Sequence, residues 1–259
     1  MPEGDTIHRT AARLRPALEG RVVRRFEAPR LEGEAAGRPR VGVAVAGVEA
    51  RGKHLLVHFA DGLTLQTHLR MSGSWHLYRE GERWQRGAHL ARAVVGVDGW
   101  VAVCFSAPVV RLVRTEPPGG PLLGHLGPDL CRADADLDEA VRRMAEVAGP
   151  GDEVGAVLLD QRVACGVGNV YKSEALFACR LDPFRPVADL SVEERRALLS
   201  TAARLLRANL VGGPRTTVPG GLAVYGRAGL ACRRCGTTVL ARRQGEQART
   251  TYWCPQCQQ

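Results

Sequence analysis

Apolar residues recur at two different spacings along the chain, and the change from one to the other outlines the fold. Asp5 can cap a helix, and it is followed at helical spacing by Ile7, Ala11, Leu14 and Leu18, up to Gly20. From residue 22 onwards, short alternating or β-branched runs are separated by glycine-containing turns, at 41–48, 55–59, 63–68 and 101–105. The pattern predicts a buried helix followed by an antiparallel two-layer β unit.

The second half of the chain has helical patterns instead. Residues 117–121, Pro-Pro-Gly-Gly-Pro, interrupt regular structure and mark a linker. Helices are predicted beyond it at 136–147, 154–164, 169–178 and 191–210, and Ser191 with Glu194 forms a capping box for the last of them. We therefore predict an α+β protein with three domains, at 1–125, 126–222 and 223–259.

The last of these domains contains two CxxC pairs separated by 18 residues, Cys232, Cys235, Cys254 and Cys257. Two such pairs joined by a hairpin place four soft thiolates around one ion and leave no open coordination position, which is typical of a structural Zn²⁺ site. Paired disulfides are the alternative, and the lack of a secretory signal pattern disfavours them. The remaining four cysteines lack ligand spacing and are expected to be packed, reduced thiols.

The net positive charge of the chain indicates an anionic partner. The chain has 36 Lys+Arg against 27 Asp+Glu, a net charge of +9, which favours nucleic acid or another anionic surface. From Arg227 to the end there are six arginines and one acid, Glu246, so the metal module is itself a candidate for phosphate contact. No apolar stretch reaches membrane-spanning length, and a cytoplasmic location without a membrane partner is expected.

Lysine is rare, since Lys53 and Lys172 stand among 36 basic residues that are otherwise arginine. A lysine can release a proton where an arginine does not, so Lys53 is a candidate for chemistry. Lys172 falls in an apparent surface helix and is expected to have no special role.

Two further segments contain residues that could take part in catalysis or phosphate binding. Removal of Met1 would leave the secondary amine of Pro2 at the chain terminus, a nucleophile that loses its proton more readily than lysine, beside the carboxyl group of Glu3. Asn169 follows a Gly166-Val167-Gly168 corner at a helix start, where free backbone N–H groups can bind phosphate. The alternative is that these glycines only permit a tight turn.

Five motifs occur in order along the chain: Met1 to Asp5, Arg51-Gly52-Lys53-His54-Leu55, the corner ending at Asn169, Val224-Tyr225-Gly226-Arg227, and Arg249 to Gln258 with the second CxxC pair. Together they resemble the formamidopyrimidine-DNA glycosylase and endonuclease VIII family. The resemblance implies a helix-backed β-sandwich, a helix-two-turn-helix domain and a zinc finger. It also implies a bifunctional DNA glycosylase and abasic-site lyase of base excision repair.

The resemblance also implies roles for single residues. Pro2 would form a Schiff base with the sugar of a flipped nucleotide, and Glu3 would transfer protons during base release. Lys53 would bind phosphate and assist elimination. Asn169 and Arg249 would clamp flanking phosphates, and Arg249 would serve the second, δ-elimination.

Loop residues are expected to contact the distorted DNA. Met71 is the candidate wedge for the space that a flipped nucleotide leaves, with Arg70 on the opposite strand or a phosphate. His125 matches a position that is often a basic DNA contact. Ser72 is not aromatic, so further filling residues are expected within 107–114.

Two departures from the family pattern bear on the substrate. Thr6 stands where glutamate is common, and the stretch between Val211 and Tyr225 is short. The short stretch and Gly4 favour the endonuclease VIII branch, hence oxidised pyrimidines. An 8-oxoguanine and formamidopyrimidine glycosylase is the alternative, and a non-catalytic damaged-DNA-binding protein is the alternative of another class. The expected partner is double-stranded DNA with damaged bases or abasic sites, bound by a monomer associated with the nucleoid.

Overall fold

The computed structural model describes residues 2–38, 40–116 and 121–259. Contacts divide the chain into two compact units, Met1–Gly124 and His125–Gln259. The core of the predicted linker, residues 117–120, lies outside the described residues. Among the described residues, no helix combines the length and hydropathy needed to cross a bilayer.

The first unit is a helix-backed β-sandwich, as the apolar pattern predicts. Helix α1 is Gly4–Leu18, and eight strands follow: β1 Val23–Glu27, β2 Val45–Arg51, β3 His54–Phe59, β4 Leu63–His68, β5 Ser74–Arg79, β6 Ala91–Val97, β7 Trp100–Phe105 and β8 Val109–Arg114. They form two antiparallel four-stranded sheets, ordered β1-β6-β7-β5 and β2-β3-β4-β8. The α+β prediction for this unit is confirmed.

Helix α1 closes the core of the sandwich. Its buried face carries Ile7, Leu14 and Leu18, which join one apolar cluster with residues of both sheets. Buried aliphatic side chains of this size stabilise the packing by about 2 kcal/mol each. The helix begins earlier than a cap at Asp5 would allow, because the backbone carbonyl of Glu3 accepts bonds from Thr6 and Ile7 at 3.0 and 3.2 Å. Glu3 rather than Asp5 is therefore the N-cap residue.

The second unit is helical with one β-hairpin. Its helices are α2 Leu137–Val147, α3 Val154–Val157, α4 Asn169–Cys179 and α5 Val192–Ala208, and its strands are β9 Leu240–Gln244 and β10 Arg249–Trp253. Short 3₁₀ turns occupy Val187–Asp189 here and Ala88–Leu90 in the first unit. The predicted capping box of Ser191 and Glu194 is present at the start of α5.

One predicted helix is much shorter than expected. The pattern over 154–164 suggests three turns, whereas α3 ends at Val157. The cause is competition from backbone pairing: Gly127 donates to the carbonyl of Gln161 at 2.9 Å, and Cys165 donates to the carbonyl of Pro128 at 2.9 Å. These bonds, with an isolated parallel bridge between Asp129 and Cys165, hold residues 161–165 in turns beside 127–130, and local spacing does not encode such a distant pairing.

Candidate functional site

The start of α1 determines where Pro2 and Glu3 lie. Glu3 is an extended N-cap residue and is fully buried, while Pro2 is half-buried. The first turn of a helix carries free N–H groups and the positive end of the dipole, which favours a carboxylate. Asp5 is also buried in this turn, where it accepts a hydrogen bond from the hydroxyl of Thr6 at 3.3 Å. A carboxyl group and the candidate amine are thus adjacent on a rigid element.

Lys53 lies in the two-residue turn between β2 and β3. Arg51 pairs with His54 across the hairpin, and Gly52 has φ 56°, the positive value that the first central position of a type II′ turn requires. The turn leaves the Lys53 side chain half-buried at the end of a sheet. The Arg51-Gly52-Lys53-His54 motif is therefore a turn that presents one lysine.

His68 is a residue beside Lys53 that the sequence analysis did not single out. It ends β4 opposite His54, with the two ring centroids 4.7 Å apart. Burial lowers the pKa of His68 to about 4, and the positive charges of Lys53 and Arg70 act in the same direction. The imidazole is therefore neutral at physiological pH and lies close to two cations. The available sequence signal was a hairpin formed by the predicted strands at 55–59 and 63–68, which brings His54 and His68 opposite each other beside the Lys53 turn.

Met71 projects from a tightly built turn between β4 and β5. It is 70% exposed, which is unusual for a large apolar side chain. Arg70 has φ 46°, and Gly73 donates to the carbonyl of Leu69 at 2.9 Å. A Cβ at Gly73 would come within 2.7 Å of that carbonyl oxygen, so only glycine fits. The turn is rigid although its apex is exposed.

The same turn rests on the segment before β8, where further filling residues were expected. Ser72 donates from its hydroxyl to the carbonyl of Ser106 at 3.1 Å, and Ser106 has φ 52°. Ala107 is buried, whereas Arg111 is exposed on β8. The structure therefore joins the two loops, with Met71 as the exposed apolar side chain at their apex.

In the second unit, a glutamine side chain builds the corner before α4. Gln161 donates to the carbonyls of Leu159 and Val167 at 2.7 and 3.1 Å, and it accepts from the N–H of Gly166 at 3.1 Å. Gly166 has φ 103°, so the glycine does serve a tight corner. The corner in turn fixes the helix start at Asn169.

Asn169 and Arg249 are brought close by a contact between the Asn169 side chain and the backbone of β10. The Asn169 amide donates to the carbonyl of Thr250 at 2.7 Å, and Thr250 follows Arg249 in the strand. Arg249 is half-exposed, and within the described chain its side chain makes one long bond, from Nε to Gln247 at 3.4 Å. The buried amide of Asn169 thus lies next to the strand of Arg249, whose guanidinium is half-exposed.

Lys172 is fully buried, so the expectation of a surface lysine is wrong. Its ammonium donates to the hydroxyl of Thr251 at 2.6 Å, and that hydroxyl donates to the side-chain oxygen of Gln244 at 2.5 Å. Gln244 in turn donates to Glu153 at 2.9 Å. This network fixes β10, the strand of Arg249, against α4. Helical spacing missed it because α4 is buried on almost every side.

Glu174, which the sequence analysis did not single out, holds the segment before the metal hairpin. Its buried carboxylate accepts the backbone N–H groups of Ala223, Val224 and Tyr225 at 2.7, 2.9 and 2.8 Å, and the hydroxyl of Thr217. Charge-assisted bonds of this kind are the strong ones. The available sequence signal was an acidic residue inside an apolar helix. The hydrogen bonds of Glu174 explain the structure of the Val224-Tyr225-Gly226-Arg227 motif.

The four cysteines of the two CxxC pairs meet in one cluster. Their sulfur atoms all lie within 4.8 Å of one another, and the sulfurs of Cys235 and Cys254 are 3.5 Å apart, where a tetrahedron with metal–sulfur bonds of about 2.3 Å has an edge of about 3.8 Å. Hydrogen bonds from Thr237 lower the pKa of Cys235 to about 6. Burial, followed by the neighbouring sulfurs, raises the pKa of Cys257 to about 12. The donor set fits one tetrahedral structural metal ion, and all eight cysteines are free of disulfides.

The other four cysteines and His125 complete the set of predicted positions. Cys104, Cys131 and Cys165 are buried and Cys179 is half-buried, in keeping with packed thiols. His125 is exposed and begins the second unit. Pro2, Glu3, Lys53, Arg70 and Met71 belong to the first unit, and Asn169, Arg249 and the metal cluster belong to the second.

Comparison with known proteins identifies the family. The family model of the formamidopyrimidine-DNA glycosylase N-terminal domain matches residues 1–107, and the model of the formamidopyrimidine-DNA glycosylase H2TH domain matches residues 126–218. The chain belongs to the formamidopyrimidine-DNA glycosylase and endonuclease VIII family. Membership confirms the expected enzyme class, a DNA glycosylase and abasic-site lyase, and the helix-two-turn-helix domain.

Members of the family from both branches resemble the whole chain. "Probable endonuclease 8 2" of Streptomyces coelicolor is 42% identical, over 100% of this chain and 94% of its own length. The MutM (Fpg) protein of Thermus thermophilus is 34% identical, and its crystal structure matches with a TM-score of 0.80 over 99% of this chain and 98% of that one. A Lactococcus lactis formamidopyrimidine-DNA glycosylase bound to abasic-site DNA, 20% identical, matches in fold with a TM-score of 0.83 over 100% of both chains.

We expect Glu174→Gln to loosen the segment 217–225. The variant replaces a carboxylate oxygen by an amide group that points N–H donors at backbone N–H groups, and a buried donor left unsatisfied costs about 1–3 kcal/mol. The free energy of unfolding should fall by at least that amount, and hydrogen exchange should quicken at residues 223–225. The matched control is Glu193→Gln on the exposed face of α5. Equal stability of the two variants would contradict the role of Glu174.

Proposed function

We propose that this protein is a bifunctional DNA glycosylase and abasic-site lyase that removes oxidised bases, mainly pyrimidines, and cuts the strand by successive β- and δ-elimination. The single observation that carries the mechanism is the buried carboxyl group of Glu3 beside Pro2, at the positive end of α1. That end of the dipole disfavours a cation, which supports a neutral, nucleophilic amine once Met1 is removed.

The reaction proceeds through the amine of Pro2. Its lone pair attacks C1′ of the damaged nucleotide, the bond from C1′ to the base breaks, and the base leaves with a proton supplied by Glu3. The Glu3 carboxylate then takes the amine proton and passes it to O4′ as the sugar ring opens, which gives an iminium that acidifies the C2′ protons. Loss of one C2′ proton expels the 3′ phosphate, a second elimination expels the 5′ phosphate, and water releases the sugar fragment from the enzyme.

The remaining predicted residues bind the DNA around this centre. Lys53, with His68 and Arg70 beside it, supplies a cationic surface for a phosphate and assists elimination. Asn169 and Arg249 supply a second phosphate clamp, with Arg249 serving the δ-elimination. Their contact through Thr250 supports a common role. His125 adds an exposed basic contact in this proposal.

Met71 fills the space that the flipped nucleotide leaves. Its exposure and its rigid turn support this role, because an apolar side chain that is already positioned loses little entropy on insertion. Arg70 lies next to it and contacts the opposite strand or a phosphate. In this proposal, the small Ser72 leaves Met71 as the principal wedge.

The four-cysteine cluster holds one structural Zn²⁺ that stabilises the finger at 223–259, which we treat as a domain distinct from the β-sandwich at 1–125 and the helical domain at 126–222. The metal supplies folding energy and no chemistry, since four thiolates leave no open position. Its function is to keep the hairpin of Arg249 folded.

We expect one zinc ion per chain by elemental analysis, and loss of DNA binding when a strong chelator removes it. The physical reason is that, without the metal ion, the four cysteines no longer hold the hairpin of Arg249 in place. The readouts are DNA affinity and the number of thiols that react with a thiol reagent, which should rise by four. Full affinity and full lyase activity in metal-free protein would refute this role.

The Schiff base gives a direct test of the mechanism. Protein incubated with abasic DNA and borohydride should form a covalent adduct, with Met1 shown by mass to be absent. Pro2→Gly should lower adduct formation and strand cleavage by about 10²-fold or more. Arg24→Gln is the control, since Arg24 is exposed on β1 and paired with Asp98. DNA binding by intact protein without any adduct would instead indicate a non-catalytic damage-binding protein.

The preference for oxidised pyrimidines rests on the short segment between Val211 and Tyr225, on Gly4, and on relatives named endonuclease 8. Glu174 and Asn209 tie this segment down at several points, which supports a short, fixed loop rather than a long cover over a purine. The second candidate is an 8-oxoguanine and formamidopyrimidine glycosylase, which the 34% identity to the Thermus protein favours.

Base release from two duplexes separates these candidates. We expect kcat/KM for an oxidised pyrimidine, such as 5-hydroxycytosine, to exceed that for 8-oxoguanine by about tenfold or more, a difference of about 1.4 kcal/mol in transition-state stabilisation. Cleavage of an abasic duplex is the control, because both candidate functions predict the same abasic-site lyase activity. A preference for 8-oxoguanine would overturn the loop argument and establish the second candidate.

A further inference from the structure

A cavity of about 290 Å³ opens along one face of α1 in the first unit, and Leu69 and Gly73 of the Met71 turn form part of its lining. The helix lines it with side chains at positions one turn apart, Thr6, Arg9, Thr10 and Arg13, and the opposite wall includes Ser74 and Trp75 at the start of β5. Residues three or four apart lie on the same helix face. Two guanidinium groups therefore face one cavity, about one turn of helix from each other.

Arg13 is held in place by the sheet. Its Nη2 donates to the backbone carbonyl of Trp75 at 2.7 Å. Trp75 is itself buried and donates from its ring nitrogen to the hydroxyl of Thr67 at 3.0 Å. One of the five N–H donors of Arg13 is thus used to fix the guanidinium on a rigid strand, and the remaining donors stay available to other partners.

Further positive charge surrounds the same cavity. Arg86 donates to the hydroxyl of Ser74 at 3.2 Å, and His76 lies at 3.0 Å from that hydroxyl. Burial lowers the pKa of His76, and the charges of Arg13 and Arg86 act in the same direction. Asp5 is an acid near the cavity; it lies 3.9 Å from Arg9 and is fully buried. Among the described residues, those that line the cavity include no carboxylate.

We propose that this cavity is a phosphate subsite, in which Arg9 and Arg13 hold one internal phosphodiester of the DNA backbone. The proposal rests on the DNA binding proposed above. Planar guanidinium groups pair with the two non-bridging oxygens of a phosphodiester, and a hydroxyl such as that of Ser74 can donate to the same oxygens. Such a contact adds affinity without reading sequence or damage.

The test is the salt dependence of binding by Arg13→Gln. Affinity is measured by fluorescence anisotropy at several salt concentrations, on an undamaged duplex and on one with a tetrahydrofuran abasic analogue. Because Arg9 remains at the same phosphate, loss of the Arg13 charge should reduce the slope of log K against log salt by up to about 0.9, and should weaken binding at about 0.1 M salt by up to about eightfold. Both duplexes should be affected alike.

Matched variants separate charge from folding. Arg13→Lys keeps the charge and should keep most of the slope, whereas Arg24→Gln removes an arginine that already pairs with Asp98 and should leave the slope unchanged. Thermal unfolding of each variant shows whether Arg13→Gln remains folded. A slope equal to that of the original protein in folded Arg13→Gln would overturn the proposal.

Two other outcomes would also overturn it. A loss seen only with the abasic-analogue duplex would make the cavity part of the lesion pocket. A loss seen only with a gapped duplex carrying terminal phosphates would make it a site for the cleaved product. A wild-type protein that binds neither intact duplex would remove the proposed function and this subsite together.

Discussion

The second unit depends on polar side chains that are buried along one helix, α4. Asn169, Lys172 and Glu174 are each shielded from water, and each makes hydrogen bonds to a segment more than forty residues later in the chain. A buried polar group without a partner costs about 1–3 kcal/mol, so the later segments are confined to positions that pair with the Asn169 amide N–H, the Lys172 ammonium and the Glu174 carboxylate. Buried polar networks of this kind specify one arrangement more strictly than apolar contacts do.

Rigid support also holds the two ends of the chain that are proposed to carry out the chemistry. At the N-terminus, helix capping holds Glu3 beside Pro2, and at the C-terminus the thiolate cluster and α4 hold β10. Both are backbone arrangements that leave little freedom to the side chains that would act. Rigid support of this type is what allows a few groups to be aligned within fractions of an ångström of a reacting centre.

The sequence predicted the parts that local patterns encode. The β-sandwich, the capping box of α5 and the four-cysteine cluster all follow from periodicity or from spacing over a few residues. The patterns failed where distant hydrogen bonds compete, as in the helix expected over 154–164, which ends at Val157, while Gln161 and Cys165 bond to the backbone of Gly127 and Pro128. They also failed for Lys172, since a helix that is buried on nearly all sides has no polar face to reveal which of its residues lies inside.

The position of Met71 has a consequence for the conditions under which such an enzyme works. A thioether that is 70% exposed is open to oxidation, which converts it into a polar, chiral sulfoxide. Met144, by contrast, is fully buried and protected. The oxidants that damage bases would therefore also attack the side chain proposed to enter the helix during repair. Reduction of methionine sulfoxide would then restore an apolar wedge without synthesis of new protein.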